Sequence, residues 1–263
     1  MRTKEIKSVP EKYSSAALPA APGLACNAIV QESGIPPDST SHRKTAAKQN
    51  MKRDLNIIRD SILTVRRGDT FHIISENYSY KTEAYYAILH HELEGTPVRP
   101  SSSAILDAYV VPVCLERAKL AGIPVCTWGI SQVYVPLPAI LYGLNYFATT
   151  SDYFVVYTSE QAKEVIKHIT NKGKYPFCYQ KLPESASVHS CVGIFGKTTS
   201  PCPTIALHAK SVYEHFSIPL VTMVFVKSGD QYFLSSLAPT KYSRLGAEER
   251  TLLSAYLSHQ EFL

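Results

Sequence analysis

FHIISENYSYKTEAYY, Phe71 to Tyr86, decides how the rest of the chain is read. FHIIS is an apolar run with paired isoleucines, and Gly68-Asp69 stands just before it as a turn; together they specify a buried strand. The following ten residues, Asn77 to Tyr86, hold four tyrosines. Tyrosine offers a large apolar face and a hydroxyl that needs a partner when buried. The run therefore either builds a core with polar handles or lines a pocket. Tyr78 and Tyr80 sit just past the carboxyl end of the strand, where open α/β sheets bind ligands. Asn77, Tyr78, Tyr80, Glu83 and Tyr86 are accordingly candidate ligand- or partner-binding residues.

Downstream, Tyr85, Ile88, Leu89 and Leu93 recur at helical spacing and Gly95 supplies a C-terminal stop. Thr96 to Pro100 reads as a short extended piece. Ser101 to Ser103 cap a second helix over about 104–121, which Pro112 must kink or divide and Gly122 ends. Ile123 to Phe147 is apolar and broken by prolines, so strands and short helices remain equal alternatives there. DYFVVY (152–157) reads as a strand. Thr158 with Gln161 forms a capping box for the helix SEQAKEVIKHI, and Lys172 to Ser187 reads as loop. VHSCVGIFG (188–196) is a strand and PTIALHAKSVYEHF (203–216) a helix with proline at its start. LVTMVFV (220–226) and the segment 232–237 form a hairpin around Ser228 to Gln231. GAEERTLLSAYLSHQ (246–260) closes the chain as an amphipathic helix with Glu248 and Glu249 in its first turn. The fold class is α/β: a mixed sheet with flanking helices, a C-terminal β-hairpin and an amphipathic helix.

The 263 residues are 45% hydrophobic and 19% charged, with net charge +5. Much of that excess lies near the start, where Arg2, Lys4, Lys7, Lys12, Arg43, Lys44, Lys48, Lys52 and Arg53 face Glu5, Glu11, Glu32 and Asp38. Residues 1–50 read as a disordered basic tail or linker, and 51–263 as a single α/β domain. Met51 opens MKRDLNIIRDSIL, which has helical periodicity and is a candidate native start. The positive balance belongs to the tail and specifies no nucleic-acid partner. No stretch reaches the roughly 20 continuous apolar residues of a membrane span. The six cysteines form no C-x-x-C pair and read as reduced thiols of a cytoplasmic protein.

Signals for catalysis are weak. GIFGKTT (193–199) shares Gly-Lys-Thr with a phosphate loop, but Cys191 stands where the first glycine belongs and prolines follow instead of a helix. His90 and His91 are adjacent, so on a helix they do not share a face. Cys191, two residues from His189 on a strand, reads as a small buried thiol.

The stretch FHIISENYSYKTEAYYAILHHELEGTPVRPSSSAILD (71–107) resembles the RimK-like ATP-grasp N-terminal domain family. That family shows an apolar strand, a Tyr-x-Tyr-x-Ser-x-Gly-Tyr-Tyr run, a helix ending in glycine and a Pro-Ser step. Tyr78, Tyr80, Tyr85, Tyr86, Glu92, Gly95, Pro100 and Ser101 match it; Thr82 replaces the serine and Ala84 the glycine. VGIFG, HFSIPLVTMVFVKSGDQYFLSSLAP and AEERTLLSAYL continue the resemblance, whereas 123–182 fits it poorly. Thr82, Pro100 and Ser101 thereby join the candidate ligand- or partner-binding residues. The resemblance implies an accessory module beside an ATP-grasp catalytic part, which needs a nucleotide clamp and carboxylates on Mg²⁺. Nothing after Leu237 supplies these. The expectation is a non-catalytic domain that recognises a substrate, carrier or partner for an ATP-grasp ligase encoded separately, with ATP and Mg²⁺ only through that ligase. Its partner would be the ligase or the ligase's peptide or amino-acid substrate. Two alternatives stay open: an independent small enzyme with a tyrosine-lined pocket, and a truncated remnant of a ligase.

Overall fold

The computed structural model describes residues 62–80, 82–145 and 148–258. The basic tail, Met51 and most of the helix expected from it lie outside these residues. Its last two positions, Ile62 and Leu63, are not helical: they open a strand, β1 (Ile62–Arg67), which pairs antiparallel with β2 (Thr70–Ser75) across Gly68-Asp69. Periodicity misled there because ILTVRR also alternates, and an antiparallel neighbour was one tight turn away.

From β2 the chain enters α1 (Glu83–Leu93) and returns as β3 (Val98–Arg99), parallel to β2. Thr82 accepts a hydrogen bond from the Tyr85 amide as the N-cap of α1, and Gly95 follows its C-cap at φ +70°. Pro112 does divide the next helix, into α2 (Ser102–Tyr109) and α3 (Val111–Leu120).

The region that left strand and helix undecided yields β4 (Trp128–Ser131) and β5 (Ala139–Gly143), followed by β6 (Tyr153–Val156) and α4 (Ser159–Ile169). The expected loop over 172–187 contains β7 (Phe177–Lys181), and this is a correction. β7 is an interior strand of an antiparallel sheet ordered β4-β7-β5-β6. It is held by partners about 40 residues away in sequence, which no local pattern reports.

The third sheet is antiparallel, ordered β10-β9-β8, from β8 (Ser187–Ile194), β9 (Leu220–Ser228) and β10 (Gln231–Ala238). α5 (Pro203–Phe216) links β8 to β9, and α6 (Ala247–Ser258) follows β10. The described residues thus contain six helices and three sheets, an α/β architecture whose first sheet is mixed.

Alternation along β9 organises the core. Val221, Met223 and Phe225 face one way, into a cluster with Ile105 and Ala108 of α2, Cys114 and Ala118 of α3, and Ile205, Ala209 and Val212 of α5. Val226 faces the other way, toward the four-stranded sheet, where Ile140 and Tyr142 of β5 and Cys178 of β7 meet it. Ala139, Leu141 and Phe177 point to the opposite side, against Ala162 and Ile169 of α4. β5 is therefore covered on both faces, which is why AILY is continuously apolar.

The two antiparallel sheets are joined by a buried polar knot. β10 carries a bulge between Leu234 and Ser236 that leaves Ser235 without a cross-strand partner and turns both serines toward Tyr142. The Tyr142 hydroxyl lies 2.7 Å from Ser235 Oγ and donates to Ser236 Oγ at 3.1 Å. Gln180 Nε2 donates to the Ser235 carbonyl at 2.8 Å. Burial pushes the Tyr142 phenol well above its ordinary pKa, so it stays a neutral donor. Tyr142→Phe is expected to lower stability by about 1–3 kcal/mol, because hydroxyls buried with it lose their partner; urea unfolding measures this.

α6 covers the first sheet's other face through Leu253 and Tyr256, beside Ile74, Phe195 and Tyr242. His72 is buried on that face, where desolvation first, and then Arg67 and Arg99, lower its pKa from 6.5 to about 4. Between those values the unfolded chain binds a proton that the folded one refuses, so stability falls as pH drops from 6.5 toward 4. The stability difference between wild type and His72→Gln is expected to shrink over that interval, by up to about 1.4 kcal/mol per pH unit, as read by denaturant unfolding at stepped pH.

Candidate functional site

The tyrosine run splits into two roles. Tyr78 is 0% exposed; its hydroxyl donates to the Ile73 carbonyl at 3.1 Å and accepts from the Ser75 amide at 2.9 Å. It closes the end of β2 as a core residue with a satisfied phenol, and burial raises its pKa. Tyr85 is buried beside it, with Tyr80 edge-on at 5.6 Å. Tyr80 and Tyr86 are each 54% exposed. Asn77 is exposed and its Oδ1 accepts from the Ser79 amide at 2.9 Å, a local turn. Thr82 caps α1, and Glu83 is exposed in the first turn of that helix. Pro100 is buried, and Ser101 caps α2 by accepting from the Ala104 amide at 3.1 Å. Ser101 also lines a small cleft of 250 Å³ with Ser103, Asp107, Arg117 and His215, in which Arg117 and Asp107 pair at 2.8 Å.

A larger cleft, of 450 Å³, opens on the face of the β8–β10 sheet that the helices leave uncovered. Its floor is Ser190 and Val192 of β8, Thr222 and Val224 of β9, and Ala238 at the end of β10. Ser151 and Tyr153 form one wall; Thr240, Lys241, Arg244 and Glu249 form the other. Thr222 and Thr240 hydroxyls share a hydrogen bond of 2.8 Å. Glu249 Oε2 accepts from the Gly246 amide at 2.7 Å, the return half of a capping box on α6. Lys241 and Arg244 are exposed at the rim, and among the described residues neither is paired with a carboxylate. The cleft thus offers hydroxyls on its floor and two uncommitted cations at its mouth, a setting for an anionic ligand.

Of the residues lining this cleft, the sequence had singled out Cys191 alone. The available signal was the parity of β9: with Met223 and Phe225 in the core, Thr222 and Val224 must share the opposite face.

The catalytic candidates resolve as follows. GIFGKTT is a hairpin turn: Ile194 and Lys197 exchange backbone hydrogen bonds of 2.8 and 2.9 Å around Phe195 (φ +48°) and Gly196 (φ +76°). His189 is exposed and bonds Ser187 Oγ at 2.8 Å, while burial pushes the Cys191 thiol up to about 11, neutral at pH 7. His91 stacks on Phe71 at 4.6 Å and His90 lies 3.4 Å from Glu94. Among the described residues, no group of three His, Cys, Asp or Glu side chains is placed to hold a metal ion. No described helix is long and apolar enough to cross a membrane.

No family model matches the sequence, and no curated protein does. Solved structures do match the fold. D-alanine–D-alanine ligase of Helicobacter pylori superposes with a TM-score of 0.50 at 11% identity, over 65% of this chain and 64% of that one. The Bacillus anthracis D-alanine–D-alanine ligase gives 0.50 at 9% identity, over 64% and 71%. Over the superposed part, this chain shares the fold of these two ligases. A RimK domain ATP-grasp protein of Sphaerobacter thermophilus aligns at 17% identity with a TM-score of 0.48, over 66% and 77%. The chain spans less than two thirds of the Helicobacter enzyme's length. The likeness covers part of each ligase and does not single out an accessory module.

ATP bound with Mg²⁺ would need hard oxygen ligands for the metal. None of the ten strands carries an Asp or Glu. The one carboxylate of the large cleft, Glu249, sits on a helix and is engaged with its backbone. Among the described residues, the large cleft therefore offers Mg²⁺ no carboxylate beyond Glu249. Tyr78→Phe is expected to destabilise by about 1–2 kcal/mol, against less than about 0.5 for Tyr86→Phe; comparing the two chemical denaturation midpoints separates the core tyrosine from the exposed one.

Proposed function

We propose that this chain is a non-catalytic ATP-grasp-fold protein that recognises an anionic substrate, carrier or partner for an ATP-grasp ligase encoded separately. The supporting observation is the composition of the cleft. ATP-grasp ligases join a carboxylate to an amine through an acyl-phosphate and rely on carboxylates to hold Mg²⁺ beside the phosphates. Here the cleft floor carries the hydroxyls of Ser190 and Thr222 beside aliphatic groups, and the rim is cationic through Lys241 and Arg244. Such a surface attracts a carboxylate-bearing peptide or amino acid without a metal. The resemblance of residues 71–107 to a RimK-like N-terminal module points the same way. Tyr80, Glu83 and Tyr86, exposed on and before α1, provide a second surface for contact with the ligase.

Calorimetry with ATP and Mg²⁺ tests the reading. No heat of binding is expected from the purified chain. Micromolar affinity, about 8 kcal/mol of binding free energy, would show a competent nucleotide site and overturn it.

A further inference from the structure

Phe195 is the hub of a second polar cluster, remote in role from the cleft just described. The Arg67 guanidinium lies 5.1 Å from the Phe195 ring centroid and 5.7 Å from that of Tyr256. His72 stands 6.0 Å from the same Phe195 ring, Tyr213 5.9 Å and Tyr256 4.7 Å. Arg99 pairs with His72 across β2 and β3, and Lys197 lies over the Tyr256 ring at 5.6 Å. Three strands, a hairpin turn and two helices therefore bring three cations, an imidazole and two phenols into one cluster about Phe195 and Tyr256.

The hydrogen bonds of this cluster are incomplete. Arg67 Nη2 donates to the Tyr256 carbonyl at 2.7 Å, in the last turn of α6. Arg67 Nε and Nη1, His72 Nδ1 and the Tyr213 hydroxyl are buried with no hydrogen bond of good geometry, the Tyr213 hydroxyl facing the Arg99 guanidinium. These are four of the eight such side-chain atoms among the described residues, gathered in one place. His72 itself is 2% exposed. Among the described residues no carboxylate pairs with Arg67 or Arg99. A buried donor without a partner costs about 1–3 kcal/mol, more when charged, so four together beside unbalanced guanidinium charge call for an occupant. Arg99 and Lys197 are exposed and Tyr213 half-buried, which leaves a route from solvent.

We propose that Arg67, Arg99, His72 and Tyr213 form an oxyanion site, one that takes a phosphate or carboxylate group. Guanidinium groups donate to paired oxygens, and the neutral imidazole and phenol add donors that carry no repulsive charge. The flanking rings hold the Arg67 guanidinium flat, so little side-chain freedom remains to be lost on binding. The site shares no residue with the Lys241 and Arg244 cleft, so either can fail without the other.

Calorimetric titration of the full chain with inorganic phosphate, and separately with acetate, at ionic strength fixed with chloride, tests the site. Saturable binding of phosphate alone assigns a phosphate group; binding of both assigns the broader oxyanion class. Arg99→Gln, an exposed substitution, is expected to weaken the affinity about tenfold, and Arg67→Gln to abolish it. Arg244→Gln should leave it unchanged. Absence of saturable heat with either anion overturns the proposal. So does binding that survives Arg99→Gln intact and is lost with Arg244→Gln.

Discussion

The contact between β5 and the bulge of β10 is the constraint on which the rest depends. Two antiparallel sheets must be held face to face although one of them already buries its other side under three helices. An all-apolar contact would allow slippage, because many registers bury similar area. The hydroxyl of Tyr142 between Ser235 and Ser236, with Gln180 on the Ser235 carbonyl, admits one register. The bulge is what makes two successive serines available to one phenol. Where that contact ends, the sheets part, and the remainder of the β8–β10 face becomes the floor of the cleft.

The cleft's chemistry follows from what the strands omit. The ten described strands carry no carboxylate, and the cleft floor on β8 and β9 offers the hydroxyls of Ser190 and Thr222. The cations come instead from the connection after β10, where Lys241 and Arg244 flank a short 3-10 turn beginning at the buried Tyr242. Glu76 accepts from the Tyr242 amide at 2.6 Å, so the end of β2 anchors the segment that carries both cations. The tyrosine stretch and the cleft are therefore mechanically linked, although they are separate surfaces.

Legibility in the sequence tracked locality. Gly95, Pro112, Thr158 and Pro203 mark helix boundaries with chemistry confined to one turn, and each stands at or beside an observed boundary. β9 and β10 were legible because a tight turn joins them. β7 was not: its residues sit between polar, turn-prone segments, and its strand state comes from β4 and β5. Ile62 and Leu63 show the reverse error, a helical period overridden by an adjacent hairpin. Of the candidate site residues, Tyr78 proves to be a core group with a satisfied hydroxyl, which a tyrosine's sequence context cannot distinguish from a ligand-facing one. The large cleft gathers residues from Ser151 to Glu249, a spacing with no one-dimensional signature.

The interior position of β7 also sets an order in time. β4 pairs with β7, and the sheet order places β7 between β4 and β5. On a ribosome, Trp128 to Ser131 emerge well before the strand that will receive them. At about 5–20 residues per second, the intervening stretch of roughly 50 residues takes several seconds to appear. Throughout that interval Ile130 and its neighbours expose unpaired amides and carbonyls to the cell. The strand is short, and Pro136 and Pro138 interrupt the chain that follows it. Both properties blunt an open edge against pairing with another nascent chain, so the prolines that obscured this region in the sequence serve as its protection during synthesis.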